Sequence, residues 1–140
     1  MASEFQPVLA DPEPPGGDAE VTRLVLASGK IYYDLAFLDG RQELRHVAVG
    51  RVEQLYPFPE RELAALVGRY PELQEVVWAQ EEPRNMGALG YIGPRLRAVV
   101  SREISLRHVA PPEWASPAEG RHKRHRETQL NIIREALVAT

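Results

Sequence analysis

Four times along this chain a short, continuous apolar run gives way to a stretch with helical spacing. The first run, residues 22–27, ends at Ser28-Gly29-Lys30, after which Ile31, Leu35 and Leu38 fall at i, i+4 and i+7, the spacing of one helical face. Asp39-Gly40 ends that helix. A second run opens at Val47 and continues to about Leu55. Tyr56-Pro57-Phe58-Pro59 then breaks it, since neither proline can donate to a strand ladder. Pro59 suits the first turn of the next helix. Leu63, Leu66, Val67 and Tyr70 give that helix its apolar face, and Pro71 stops it. Residues 75–80 form the third run, followed by a predicted helix over 91–100 with Pro94 in its first turn. The fourth run, 104–110, stops at Pro111-Pro112. A loop at 116–120 leads to a last helix over 123–138, with Leu130, Ile133 and Leu137 on one face.

Strands buried on both sides read as continuous apolar runs. Their alternation with helices predicts a three-layer α/β/α fold around a mostly parallel sheet. In such sheets ligands and partners gather at the carboxyl ends of the strands. Three unusual loops fall there: Ser28-Gly29-Lys30, Tyr56-Pro57-Phe58-Pro59, and residues 81–87.

Residues 1–20 break the pattern. They hold Pro7, Pro12, Pro14, Pro15, Gly16, Gly17 and several acids, the composition of an extended linker or arm. The expected division is therefore an arm over 1–20 and one domain over 21–140, and a linker in this place suggests a domain taken from a longer chain. The 140 residues, 44% hydrophobic and 26% charged, suffice for one domain with its own core. A formal net charge of −3 argues against a dedicated nucleic-acid binder. No apolar run has the length of a membrane span, and the start lacks the layout of a secretory signal. With no cysteine there is no disulfide, thiolate metal site or cysteine nucleophile, which fits a cytoplasmic protein.

The third run leaves straight into Gln80-Glu81-Glu82-Pro83-Arg84-Asn85-Met86-Gly87. Adjacent glutamates in extended backbone point to opposite faces, so they do not form a carboxylate pair on one substrate. Asn85 and Gly87 suit positive-φ positions. A turn or an interface explains this loop better than acid–base catalysis. Ser28-Gly29-Lys30 places amides and a cation at a helix start, a geometry that holds anions, but it lacks P-loop spacing, and a serine cap is the commoner meaning. His122 and His125 share a face within the basic run 121–126. A metal needs at least three good ligands, and basic charge opposes the macrodipole at a helix start, so the run reads as a solvated or intersubunit segment. Phe58 and Trp114 sit in proline-rich loops as core lids or interface anchors. No Ser/His/Asp set, dinucleotide turn or metal motif is present. The residues describe a binding or assembly domain and not a complete enzyme.

Four segments carry a resemblance: "LASGKIYYDL" (26–35), "GRVEQLYPFPERELAALVGRYP" (50–71), "EVVWAQEEPRNMGA" (75–88) and "ASPAEGRHKRH" (115–125). In order and spacing they resemble the C-terminal domain of the thiamine-diphosphate-dependent 2-oxoglutarate dehydrogenases. The YPFP loop is similar, more broadly, to transketolase-type C-terminal domains, and "FQPVLADPE" (5–13) resembles the connector that precedes this domain in the family. The resemblance implies two earlier domains, absent here, that hold thiamine diphosphate and Mg²⁺, and no cofactor in this stretch. It implies a parent enzyme that decarboxylates 2-oxoglutarate and passes the succinyl group to the lipoyl arm of a succinyltransferase. It also implies a homodimer partner, with neither nucleic acid nor membrane as partner. Two positions depart from the family. Pro111 stands within Ala110-Pro111-Pro112-Glu113-Trp114-Ala115-Ser116-Pro117 where an arginine is usual, and Met86 stands where glutamine is common.

Two functions follow from different classes. As an assembly domain, the chain would meet its neighbours through Tyr56, Phe58, Gln80, Glu81, Glu82 and Asn85. As a regulatory module for acetyl-CoA or a nucleotide, a property of part of the family, it would hold phosphates with Ser28, Gly29, Lys30, Arg45 and Arg51.

Overall fold

A computed structural model of the chain describes residues 5–11, 14–111 and 122–138, the side chains of 122–125 excepted. Trp114, the loop at 116–120 and the side chains of His122 and His125 lie outside the described residues. The order is β1 (Val8–Leu9), β2 (Arg23–Ala27), α1 (Ile31–Ala36), β3 (Val47–Val52), α2 (Glu60–Gly68), β4 (Glu75–Ala79), α3 (Leu89–Val99), β5 (Ser105–Val109) and α4 (His122–Leu137).

The five strands form one sheet in the order β1-β3-β2-β4-β5, parallel except for β1. This is the expected α/β architecture. Its cause is legible in the registers: Leu24 lies beside Ala48 and Val76, and Leu26 beside Gly50 and Trp78. These residues point to one face, under Leu63 and Leu66 of α2 and Ile92 and Leu96 of α3. Val25, Val49 and Val77 alternate to the other face, under Ile31 and Leu35 of α1 and Ile132, Ile133 and Ala136 of α4. Burial on both sides is why the strand runs are continuously apolar. Gly50 packs closely under α2: a Cβ there would sit 3.0 Å from Leu26 and 3.2 Å from Leu66, so a larger residue would have to displace those side chains.

The described part of the arm holds a short strand, β1, and a 3-10 helix at Asp18–Glu20, and it is docked on the sheet. Val8 and Leu9 pair antiparallel with Val52 and Arg51, so the arm covers what would be an open sheet edge. Asp11 accepts from the backbone N–H of Val49 and from the buried Arg41. The backbone N–H groups of Glu53 and Gln54 both donate to the Pro7 carbonyl. The ladder ends there, which is why β3 stops at Val52, short of Leu55. Pro7 therefore lies at the carboxyl end of the sheet.

Two helices differ from the spacing. α3 starts at Leu89, so Pro94 sits in its second turn, where it removes a donor to the Gly90 carbonyl. Leu130 is exposed, while the buried stripe of α4 is Ile132, Ile133, Ala136 and Leu137. Leu130 lies about a quarter-turn from the centre of that stripe, at its border.

His108 on β5 lies beside Trp78 and close to Gly93 of α3. Its Nδ1 is buried with no partner among the described residues. Burial, aided by the charge of Arg84, holds its pKa below the ordinary 6.5. The folded state thus keeps His108 neutral where the unfolded chain already binds a proton. Its contribution is complete above pH 6.5 and is lost as pH falls below that value toward the folded pKa. Denaturant midpoints of the wild type and His108→Gln, compared at pH 7.5 and at pH 5.5 (chosen to bracket the ordinary histidine range), are expected to show a smaller acid loss in the variant. Equal losses would remove this assignment.

Candidate functional site

The three loops after β2, β3 and β4 converge, because parallel strands put their carboxyl ends on one edge and β2 lies between β3 and β4. The chain reverses its direction across the sheet between β2 and β4, and such a point opens a crevice as the flanking connections diverge to opposite faces. The crevice here is a cleft of ≈ 480 Å³. Ser28 and Gly29 form one wall, Leu55 and Tyr56 the second, and Gln80, Glu82, Gly87 and Ala88 the third. Trp78 and Tyr91 complete it.

Gln80 organises the third wall. It is 3% exposed, and its amide nitrogen lies 2.9–3.0 Å from the carbonyls of Glu82, Pro83 and Met86. Its oxygen accepts from the Trp78 indole at 3.1 Å. Indole is a donor only, so this contact fixes which way the amide faces. Gln80 was expected to bond across a junction; instead its polar atoms close the loop, since a buried amide must satisfy itself internally. Gly87 turns the loop at φ 67°, and a Cβ there would lie 2.9 Å from Cβ of Glu82. Asn85 does not share this conformation, for no residue other than glycine has positive φ among those described. It is exposed at the loop tip.

The two glutamates part as side-chain alternation requires. Glu81 accepts a hydrogen bond from Gln129 of α4, behind the sheet. Glu82 is exposed and turns into the cleft. Tyr56, after which the peptide to Pro57 is cis, stands 84% exposed on the rim. Phe58 is half-buried edge-on to Tyr91, with ring centroids 6.5 Å apart, so it wedges the cleft wall from behind. Tyr91 and Trp78 are the site residues that sequence reasoning missed. The strand period alone places Trp78 on the same side as Gln80, two residues on, so that pairing was available.

The anion candidates do not assemble. Ser28 does not cap α1: the N-cap is Lys30, without a side-chain bond, and the helix has six residues. Arg45 precedes β3 at the amino end of the sheet, whereas Arg51 lies beside Ala27 at the carboxyl end, roughly 20 Å away at strand rise. Arg45 pairs with Glu20 at 3.1 Å. Arg51 is held by Glu53 at 3.1 Å and the Tyr33 hydroxyl at 2.7 Å, with its guanidinium over the rings of Tyr32 and Tyr33. None of the three cations lines the cleft, whose one charged lining residue among those described is Glu82. Among the described residues, no group of three His, Asp or Glu side chains can hold a metal, and no helix is long and apolar enough to cross a membrane.

The sequence profile described as 2-oxoglutarate dehydrogenase C-terminal matches residues 1–137. The chain belongs to that family. It is 44% identical over 135 residues to the 2-oxoglutarate dehydrogenase E1 component of Exiguobacterium sp., a match covering 95% of this chain and 14% of the relative. It is 43% identical over 134 residues to the E1 component of Geobacillus kaustophilus, covering 95% and 14%, and 40% identical over 139 residues to that of Bacillus subtilis, covering 96% and 14%. The chain thus spans about 14% of the length of the curated relatives it matches. In this 2-oxoglutarate dehydrogenase C-terminal domain the cleft is walled by loops from three strands, and the hydrogen bonds of Gln80 hold the third wall together.

Proposed function

We propose that this chain is the C-terminal assembly domain of the E1 component of a 2-oxoglutarate dehydrogenase, and that it docks on the preceding domains through the carboxyl edge of its sheet. One observation supports this above the others. The docked arm runs to the same edge that carries the cleft, since Pro7 receives the Glu53 and Gln54 N–H groups at the end of β3. A domain joined through that arm is held beside Tyr56 and Glu82 without a long linker.

In this reading the preceding domains hold thiamine diphosphate and Mg²⁺. The residues here do not fit a diphosphate, because the cleft presents a carboxylate and the nearby arginine is committed to Glu53 and Tyr33. The parent enzyme decarboxylates 2-oxoglutarate and delivers the succinyl group to the lipoyl-bearing succinyltransferase, and a second parent chain completes a homodimer. This stretch supplies packing and carries no catalytic step of its own. The test is a chimera in which this chain replaces the matching 14% of the Geobacillus kaustophilus relative. Thiamine-dependent turnover of 2-oxoglutarate within about tenfold of the unaltered relative supports the reading, since each lost factor of ten is only ~1.4 kcal/mol of misfit. A folded but unassembled or inactive chimera overturns it.

A further inference from the structure

Among the described residues Glu82 is the only charged one lining the cleft, which Leu55, Tyr56, Trp78 and Tyr91 make largely apolar and Ser28 and Gln80 make partly polar. Among the described residues its carboxylate has no ion-pair partner. The exposed Glu82 side chain lies over the glycine turn, with Oε2 3.0 Å from where a Gly87 Cβ would stand. Gln80 donates to the carbonyls of Glu82 and Met86 from beneath, so the backbone that carries Glu82 is tied down. Opposite it, Tyr56 offers a free ring and Tyr91 lines the wall. Tyr91 already takes one guanidinium, that of Arg95, at 3.8 Å from its centroid. The aromatic walls suit a flat cation, and the carboxylate suits its charge.

We infer that the cleft is a receptor for an arginine side chain presented by the preceding domains of the parent chain, with Glu82 receiving the guanidinium and Tyr56 stacking on it. This rests on the docking role proposed above and names its chemistry. Arginine fits better than lysine, because a planar fork can meet a carboxylate in two parallel hydrogen bonds while its face lies on a ring. Charge complementarity selects a cation over the anions that the same loops suggested from sequence. Position selects the preceding domains, because the arm delivers them to this edge.

The test uses the 140-residue chain and benzamidine, a flat ring bearing an amidinium fork, followed by amide and indole resonances in NMR. Benzamidine is expected to shift the Gly29, Gly87 and Ala88 amides and the Trp78 indole N–H saturably. Benzoate, the same ring with opposite charge, is expected to leave them in place. Glu82→Gln should weaken benzamidine by about tenfold, the size of one charge-assisted contact. Tyr56→Ala, at a rim position that is 84% exposed, should weaken it too. Equal binding of benzoate, an unaltered Glu82→Gln affinity, or no shift of these four signals overturns the proposal. So does movement of the same signals with protein concentration alone, which would assign the cleft to a second copy. None of these outcomes bears on turnover by the chimera, so the docking role and its chemistry fail separately.

Discussion

Glu75→Ala is expected to lower stability by about 3 kcal/mol, enough to move a denaturant midpoint well outside error with its slope unchanged. Glu75 sits at the amino end of β4, beside Arg23 on β2, and both face α4. Its Oε1 lies 2.9 Å from Arg23 Nε and 3.1 Å from Arg107. The Arg23 contact is off the N–H axis, so it is ionic rather than an aligned hydrogen bond. The two arginines then donate to the Leu137 and Glu135 carbonyls at 3.0 Å each. One carboxylate thereby holds two cations against the end of α4, where unsatisfied carbonyls and the helix dipole both favour positive charge. Arg23 is 8% exposed, so removing Glu75 leaves a charge out of water without its partner. Glu75→Gln, which keeps an acceptor, should lose less. Hydrogen exchange should show the last turn of α4 opening before the sheet. An alanine variant as stable as the wild type, with α4 equally protected, would refute this account of how the helix is held.

Asp11→Ala is expected to cost about as much, roughly 3 kcal/mol, and to release the arm. Arg41 is 6% exposed. Its guanidinium meets Asp11 at 2.8 Å and donates to the Val47 carbonyl at 2.8 Å and the Leu44 carbonyl at 3.3 Å. Burial lowers its pKa and the Asp11 carboxylate opposes that shift. Without Asp11 the cation stays buried on carbonyl dipoles alone, and the Val49 N–H on the sheet edge loses its acceptor. Exchange should rise at Val49, Glu53 and Gln54 together, since one staple holds the arm that all three use. The double variant Asp11→Leu with Arg41→Met should recover most of the loss, because an apolar pair of similar volume avoids the desolvation that the ion pair must overcome. If the single variant leaves Val49 protected, the arm is held by β1 pairing and Asp11 is incidental.

These two predictions concern different strand pairs, β2 with β4 and β1 with β3, and they mark how far the sequence could be read. Glu75 was legible as a strand residue, yet nothing in its neighbours points to Arg23 and Arg107, 52 and 32 positions away in the chain. Asp11 stood in a proline-rich stretch whose composition describes a linker. Composition reports the entropy of a free chain; it does not report that a neighbouring edge strand has unpaired N–H groups for that chain to fill. Lys30, Arg45 and Arg51 look like one basic cluster in sequence. A parallel strand separates Arg45 from the others by its own length, because its two ends lie on opposite edges of the sheet.

The sequence by itself determined the alternation of strands and helices, the burial of the sheet on both faces, and the membership in the 2-oxoglutarate dehydrogenase C-terminal family. These depend on local period, turn chemistry and short motifs, all of which are written within a few residues of one another. Only the tertiary structure decided the strand order, and the strand order brings Ser28, Tyr56 and Glu82 to one cleft while sending Glu81 to α4. It also decided that Gln80 braces the loop from within while Glu82 faces the cleft. The two residues differ in whether their side chains have partners within the fold, and that is settled by packing between elements distant in sequence.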